Sequence, residues 1–197
     1  MEKEKNIIIM VNYNFEGEYL NEERSGKGKE YYKSGELYFE GTYINDKKIG
    51  KGKEYYEDGK IYFEGEFLNG WKNGIGIVYY NDGQILYEGE YLKGERSGKG
   101  KEYYEIYRIK YEGEYLNGKR NGQGKEYNID GKLIFSGEYL NGIRWKGKGY
   151  EDIEQTIGAK FEGEYLNGKK WNGKKYCIDG KEVILGKYFE GKYIDIY

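Results

Sequence analysis

The chain has 197 residues, of which 33 are Gly, 26 are Tyr and none is Pro or His, and its 33 Lys and Arg residues nearly balance 35 Asp and Glu residues. The absence of His excludes a His general base, Ser-His-Asp and Cys-His pairs and His metal ligands, and the single cysteine, Cys177, excludes an intrachain disulfide and a Cys-rich zinc site. We therefore expect no catalytic residue, no cofactor and no metal ion, and the near-neutral charge argues against nucleic acid as a partner.

Targeting and membrane-spanning segments are not visible in the sequence. The longest early apolar run, Ile7 to Val11, has five residues and follows a mixed-charge start, which is too short for a signal peptide or a membrane span. We therefore expect a cytoplasmic protein, with peripheral attachment to a membrane as the alternative location.

In chain order, a lead-in segment, 1–12, precedes a repeat array, 13–197, whose C-terminal end, 146–197, is irregular. An aromatic-x-Gly unit recurs with its glycines 24 residues apart, then 26 and 28, which gives about seven and a half repeats. The abundant aromatic residues argue against the disorder that the mean hydropathy of −1.01 would otherwise suggest. The predicted structural repeat positions are Gly17, Gly41, Gly65, Gly89, Gly113, Gly137, Gly163 and Gly191.

Each repeat predicts two antiparallel strands. In the run 61–67, residues 61, 63, 65 and 67 fall on one face, and Glu64 and Glu66 fall on the other. Asp58-Gly59 predicts a tight turn with positive φ at both central residues, and the opposite turn, as in 117–122, reads as a longer loop. Glycines between aromatic residues leave room for rings to lie over the backbone, which predicts two aromatic ladders on one side. The fold class is therefore all-β, an elongated single-layer antiparallel β-meander with one hairpin per about 24 residues.

Residues 111–124, Tyr-Glu-Gly-Glu-Tyr-Leu-Asn-Gly-Lys-Arg-Asn-Gly-Gln-Gly, resemble the MORN (membrane occupation and recognition nexus) repeat. The resemblance covers essentially residues 13–197. It implies a single-layer β-scaffold without catalytic activity, sometimes proposed to bind lipid. The Lys-Glu-Tyr-Tyr stretches at 29–32 and 53–56 also resemble a bacterial variant found in antitoxin-like proteins. That likeness implies an antitoxin-like or immunity-like binding protein.

Charge is distributed unequally between the two sets of turns. The predicted longer loops carry a summed charge of +8 and the opposite turns −6, so we expect one basic and one acidic edge. All three Trp residues fall in the basic set, two of them in loops that read as one residue longer. Exposed Trp beside Lys and Arg suits a membrane interface or an acidic partner, and the alternative is that each Trp packs over the ladder. The candidate partner-binding or lipid-binding residues are Trp71, Lys72, Lys119, Arg120, Arg144, Trp145, Lys146, Lys169, Lys170 and Trp171.

Two further patterns affect the structure without predicting chemistry. The recurring Glu pairs stand opposite Lys positions, so we interpret them as a solvated face with cross-strand Glu–Lys pairs and not as catalytic carboxylates. Tyr107 stands where the other repeats have the Gly of Asp-Gly, and because Tyr at positive φ is strained, we expect that turn to adopt a different geometry.

The function predicted first is a non-enzymatic scaffold that binds a protein partner or a second copy of itself. The first alternative is peripheral binding to anionic membrane through the basic Trp-containing loops. An antitoxin-like role and a carbohydrate-binding role for the Tyr ladders also remain open.

Overall fold

The structure, a computed structural model, describes residues 8–12, 14–152, 159–178 and 182–195. Within these ranges every regular element is a β-strand, as the alternating pattern predicts. The strands are β1 (Ile8–Asn12), β2 (Phe15–Leu20), β3 (Glu23–Tyr31), β4 (Leu37–Ile44), β5 (Lys47–Tyr55), β6 (Ile61–Leu68), β7 (Trp71–Tyr79), β8 (Ile85–Leu92), β9 (Glu95–Tyr103), β10 (Ile109–Leu116), β11 (Lys119–Tyr127), β12 (Leu133–Leu140), β13 (Ile143–Asp152), β14 (Ala159–Leu166), β15 (Lys169–Ile178), β16 (Glu182–Phe189) and β17 (Lys192–Asp195).

The chain divides into two compact units. The first unit extends to Gly98 and includes Glu105–Tyr107, and the second contains Lys99–Tyr104 and continues from Arg108. In the first unit, β1 to β8 pair antiparallel in chain order, each strand with the next. In the second, β10 to β17 do the same. The prediction of an all-β antiparallel meander of hairpins is confirmed. The predicted lead-in contributes β1, and residues 153–158 and 179–181 of the irregular C-terminal end lie outside the described residues.

The turns that read as longer loops are tight, and that prediction was wrong. Asn117 and Gly118 alone separate β10 from β11, with φ of 49° and 75°. Positive φ at both central residues is the signature of a two-residue type I′ hairpin, whose twist matches that of the strands. The other pairs of this kind are Asn21–Glu22, Asn45–Asp46, Asn69–Gly70, Lys93–Gly94, Asn141–Gly142, Asn167–Gly168 and Glu190–Gly191. Most residues assigned to basic loops therefore lie in strands.

The Asp-Gly turns at the other end of the hairpins also differ from the prediction. Gly59 has φ of 83°, whereas Asp58 is not in the left-handed region. The Gly59 amide donates to the Tyr56 carbonyl at 3.0 Å, and the Tyr56 amide donates to the Lys60 carbonyl at 2.8 Å. This pattern is a three-residue loop in which a type I turn is followed by one left-handed residue. Only the glycine needs positive φ there.

Tyr107 keeps the turn geometry of its glycine-containing counterparts, so the expected change of geometry was wrong. Its φ is 57°, and the Tyr104 amide donates to the Arg108 carbonyl at 2.8 Å, as the equivalent amide does in the Asp-Gly turns. The hairpin register on either side of the turn fixes the backbone, and Tyr107 adopts the left-handed conformation at an energetic cost. Its side chain is 69% exposed, so little burial offsets that cost.

The core of each unit is one zigzag of aromatic rings on a single face of the sheet, which we call the aromatic face. Phe63 contacts Phe67 of its own repeat and Tyr91 of the next, each at a centroid distance of 5.5 Å and nearly perpendicular. The two predicted ladders therefore interlock, with edge-to-face contacts that suit the ring quadrupoles. The buried aromatic residues are Phe15, Phe39, Tyr43, Phe63, Phe67, Tyr87 and Tyr91 in the first unit, and Tyr111, Tyr115, Phe135, Tyr139, Phe161 and Tyr165 in the second.

Glycine is required where two strands and a ring approach each other. A Cβ on Gly65 would lie 2.6 Å from the Gly76 Cα and 2.7 Å from the Phe63 ring. Gly65 and Gly76 are directly paired across β6 and β7, so the ring of Phe63 lies over both. The same close approach recurs at Gly17, Gly41, Gly113, Gly137 and Gly163, which explains the glycine at these predicted repeat positions.

The last predicted repeat position is different. Gly191 lies in the type I′ turn between β16 and β17, with φ of 79°. The equivalent of the earlier repeat glycines is Gly186, because Tyr188, two residues later, contacts Phe161 at 5.3 Å in the place of the second aromatic residue. The assignment of Gly191 to the repeat position was therefore wrong. The aromatic-Glu-Gly tripeptide at 189–191 coincides with a turn.

Candidate functional site

Cations from the strands cover the aromatic face of the single-layer sheet. Lys72 is paired with Glu54 at 2.8 Å, and its Nζ lies 4.3 Å from the centre of the Phe63 ring. Phe63 is fully buried although, among the described residues of its unit, no second layer of sheet or helix packs on it. The Lys stem and the cation–π contact supply that cover. Lys72, one of the candidate partner-binding residues, therefore has a structural role.

The same arrangement in the second unit uses arginine. Arg144 and Arg120 both reach Glu126, at 2.8 and 3.4 Å, and the Tyr139 hydroxyl donates to the same carboxylate at 2.9 Å. Burial alone would raise the pKa of the Glu126 carboxyl, but these partners outweigh it and hold the pKa below its usual value. Arg120 also pairs with Glu102 at 2.6 Å. Arg120 and Arg144 thus belong to an internal network.

The sequence contains a signal for these ion pairs that a charge count over loops overlooks. Each pair joins residues 18 positions apart: Glu30 with Lys48, Glu54 with Lys72, Glu102 with Arg120 and Glu126 with Arg144. The constant separation places a carboxylate of one repeat beside a cation of the next. In the third repeat Val78 stands in the Glu position, and Arg96 lies over the Tyr87 ring at 4.3 Å.

The opposite side of the sheet, which we call the polar face, carries two rows of alternating charge. In the first unit one row runs through Glu16, Lys29, Glu40, Lys53 and Glu64, and the other through Glu18, Lys27, Thr42, Lys51 and Glu66. The cross-strand register places most of these Lys residues opposite a Glu, and the Lys53 Nζ lies 3.7 Å from a Glu64 carboxylate oxygen. Tyr79 donates its hydroxyl hydrogen bond to Glu64 from the neighbouring strand. This arrangement confirms the expected Glu–Lys pairing.

A trough runs between the two rows in the first unit. Its volume is about 830 Å³, and its floor is formed by paired glycines whose opposite side is covered by the aromatic rings. The lining extends from Glu16 on β2 to Ile77 on β7. The rows are two residues apart along a strand, so the trough is roughly 7 Å wide between Cα positions and, over five strand spacings, roughly 24 Å long.

Strand β7 interrupts both rows with isoleucine. Ile77 is paired with Glu64 on one side and Glu88 on the other, and Ile75 is paired with Glu90. The corresponding positions of the first two repeats are lysines: Lys27 and Lys29, and Lys51 and Lys53. Ile75 is 58% exposed, and Ile77 is partly exposed.

In each unit, exposed aliphatic side chains flank the type I′ turns. Trp71 faces Leu68 across its hairpin and is 60% exposed, and its ring lies against the next turn, 3.2 Å from where a Gly94 Cβ would stand. Trp71 therefore does not pack over the aromatic face. The exposed aliphatic residues of these turns are Ile44, Leu68, Leu92, Leu116, Leu140 and Ile143.

The remaining candidate residues lie in the second unit. Lys119, Lys146 and Lys169 are exposed. Burial and the neighbouring charges of Arg144 and Lys175 lower the pKa of Lys170, whose Nζ lies 4.8 Å from the centre of the Phe161 ring.

Trp145 and Trp171 are half-buried and lie at register shifts in their hairpins. Paired glycines are ten residues apart there, Gly137 with Gly147, against eleven for Gly113 and Gly124. These hairpins are thus one residue shorter than the others, not longer.

Within the described ranges, no group of three or more Cys, Asp or Glu side chains is placed to hold a metal ion. The same part of the chain has no helix long and apolar enough to cross a membrane.

Comparison with known proteins identifies the repeat. The family model "MORN repeat" matches residues 15–36, 39–61, 63–85, 87–106 and 111–132, which together exceed half of the chain. A comparison with curated proteins found no match. MORN repeats are non-catalytic and are known in scaffolds that contact proteins or membranes. Five matched repeats, each covering two consecutive observed strands, establish that the chain belongs to the MORN repeat family.

Proposed function

We propose that this protein is a non-enzymatic scaffold that binds a protein partner on the polar face. The observation that carries the proposal is the trough in the first unit, which has charged walls, a glycine floor and an apolar pair at one end. A volume of about 830 Å³ lies in the range of sites that enclose a ligand. The aromatic face, in contrast, already has its own cations and carboxylates as cover.

The electrostatics of the trough favour recognition over catalysis. A general acid or base needs a carboxylate with an environment unlike that of its neighbours. From β2 to β5 the same Glu–Lys pairing repeats from strand to strand, so the carboxylates on these strands have similar, lysine-paired environments. Repeated, exposed charges set specificity and association rate in protein complexes.

Quantitative affinity purification from the cells of origin tests the scaffold proposal. The bait is the full chain, and the matched control is a variant with Lys29→Glu, Lys51→Glu and Lys53→Glu, which reverses the trough charges and leaves the aromatic face untouched. We expect one or a few proteins to be recovered in clearly different amounts with the wild type and with the control. Equal recovery with both baits, or none with either, would contradict the proposal.

A second candidate function is peripheral binding to anionic membrane. It is supported by the exposed aliphatic side chains at the type I′ turns, with exposed Lys119 beside Leu116 and exposed Lys169 at an equivalent turn. Aliphatic side chains at a polar edge can enter the headgroup region, and each Lys near an anionic surface contributes about 1 kcal/mol.

Vesicle sedimentation with phosphatidylserine-containing and neutral vesicles tests this candidate. Charge reversal at Lys119, Lys146 and Lys169 is the informative variant, because these side chains are exposed, whereas Arg120 and Arg144 stabilise the fold. Salt-sensitive binding that the variant loses supports membrane attachment, and undiminished binding would refute it. An antitoxin-like role stays a prediction from the resemblance at residues 29–32 and 53–56.

A further inference from the structure

We propose that the β7 end of the trough binds an extended polypeptide segment in which one apolar side chain is flanked by Lys or Arg. This inference rests on the proposed scaffold function and names the chemistry of its partner. The site consists of Ile75, Ile77 and the four carboxylates beside them, Glu64, Glu66, Glu88 and Glu90, and we call it the β7 site.

The composition of β7 is the first argument. In the first two repeats the strand residues equivalent to Ile75 and Ile77 are lysines that pair with carboxylates of the adjacent strands. Replacing both lysines by isoleucine creates an apolar centre between carboxylates, and Ile75 remains 58% exposed. Burial of exposed aliphatic surface is favourable on binding, so this centre offers an anchor point, and it is the only apolar pair among the residues that line the trough.

Charge complementarity identifies what should flank the anchor. Glu40 has a lysine opposite it on both neighbouring strands, Lys29 and Lys53, whereas Glu64 has Lys53 on one side and Ile77 on the other. The β7 site thus lacks the lysines that β3 and β5 place beside the carboxylates of their neighbouring strands, although the Tyr79 hydroxyl of β7 donates to Glu64. A partner with Lys or Arg on either side of an apolar residue would meet both features together.

The dimensions of the trough select an extended chain. Its width of roughly 7 Å is less than the diameter of a helix with side chains, about 10–12 Å. An extended chain rises about 3.3 Å per residue, so a seven-residue segment centred on β7 reaches roughly 10 Å to each side and crosses β6 and β8. In such a chain every second side chain points to the same side, which brings a central apolar residue and the basic residues two positions away toward the sheet.

A second copy of this chain fits the β7 site poorly. Two copies packed face to face about a two-fold axis along β7 would place Glu64 of one over Glu88 of the other. A two-fold axis across the strands would place Glu64 over Glu66. Both arrangements set like charges against each other around the apolar centre, which is unfavourable. A symmetric dimer through the β7 site is therefore disfavoured, and we assign the site to a different polypeptide.

The test uses the full chain and the labelled peptide Ser-Lys-Ser-Leu-Ser-Lys-Ser, with binding measured by fluorescence anisotropy and located by amide NMR shifts. We expect a dissociation constant of roughly 0.1–1 mM, as befits a short flexible peptide. The largest shifts should fall on Gly65, Gly76 and Gly89. Control peptides replace Leu by Ser or both Lys by Glu, and each should bind at least about tenfold more weakly.

The matched variant is Ile75→Lys with Ile77→Lys, which installs the residues that the first two repeats carry and so should preserve the fold. We expect it to weaken peptide binding at least about tenfold with an unchanged circular dichroism spectrum. Affinity retained within about twofold, or no binding of the peptide by the wild type below about 2 mM, would overturn the inference. Phosphatidylserine-vesicle binding that this variant abolishes, without peptide binding, would also overturn it.

The two proposals fail separately. If affinity purification recovers a partner equally with the wild type and with the Ile75→Lys/Ile77→Lys variant, the scaffold function holds and the β7 site is refuted. If no partner distinguishes the wild type from the charge-reversed trough, the scaffold function fails whatever the peptide does.

Discussion

Replacing Tyr107 by glycine should stabilise the protein. Tyr107 has φ of 57° in the position that glycine occupies in the equivalent turns, such as Gly83 with φ of 87°. A non-glycine residue in this left-handed region costs about 1–2 kcal/mol. Glycine removes that cost but adds freedom to the unfolded chain worth about 0.4–1 kcal/mol. The side chain is 69% exposed, so its loss removes little buried surface.

The difference predicts a gain of about 0.5–1 kcal/mol in the free energy of unfolding, or about 1–4 °C in the melting temperature of a chain of this size. Urea denaturation followed by Tyr and Trp fluorescence measures the global effect. Hydrogen exchange of the Tyr104 amide, which donates to the Arg108 carbonyl at 2.8 Å, measures the local effect. Slower exchange at that amide would show that the turn itself is stabilised.

Gly83→Tyr is the matched control, because it places the same side chain in an equivalent turn whose Tyr80 amide donates to the Gln84 carbonyl at 2.8 Å. It should destabilise the protein by about as much as Tyr107→Gly stabilises it. If Tyr107→Gly lowers stability, or if Gly83→Tyr is neutral, the assignment of strain to residue 107 is wrong.

Three further predictions concern the core and its ionisable groups. Gly65→Ala should lower the free energy of unfolding, measured by urea denaturation, by at least about 2 kcal/mol. The added Cβ would lie 2.6 Å from the Gly76 Cα and force β6 and β7 apart. A decrease of less than about 0.5 kcal/mol would refute the close approach. Glu126→Gln should lower the free energy of unfolding by about 1–3 kcal/mol, because Arg144 loses its charged partner. Glu138→Gln, at an exposed position, is the control and should change the free energy of unfolding by less than about 0.5 kcal/mol. Equal effects of the two substitutions would contradict the ion-pair network. Burial, with a hydrogen bond to a carboxylate, raises the pKa of Tyr79 and of Tyr127 to about 12. In the unfolded chain both Tyr side chains ionise near their usual pKa of about 10. Their contribution to the free energy of unfolding is therefore complete below about pH 10 and is lost as the pH rises toward 12. Spectrophotometric titration with circular dichroism should show unfolding in that window, and ionisation of all Tyr at about pH 10 in the folded protein would contradict the prediction.

Sequence pattern predicted the fold class and the two faces of the sheet well, because both follow from local rules. The alternation around Gly65 places Phe63 and Phe67 on one face and Glu64 on the other, and a strand has no alternative way to distribute them. The tight two-residue turn was predicted at Asp-Gly and the longer loop at Asn-Gly, whereas the structure has the type I′ turn at Asn-Gly and the three-residue loop at Asp-Gly. Both dipeptides favour left-handed residues, so only the number of residues between the paired strands distinguishes the two turn types.

The exposure of the candidate binding residues, in contrast, could not be predicted from local sequence rules. Lys72, Arg120 and Arg144 read as exposed loop cations, but each contacts a carboxylate of the preceding repeat across the aromatic face. A count of charge along the chain does not reveal whether a cation covers a ring or faces solvent, because that depends on residues 18 positions away. Ile75 and Ile77, which line the trough in the structure, are not among the candidate residues predicted from the sequence.

The sequence by itself determined the period, the hairpin, the aromatic-glycine contact and the membership in a repeat family, since each depends on residues close together in the chain. Only the tertiary structure decided which charges are internal and which are available to a partner, and that the repeat position after Gly163 is Gly186 and not Gly191. The physical reason is that a single-layer sheet buries its rings with side chains from the next hairpin. The exposure of a residue in one repeat is therefore fixed by the repeat beside it.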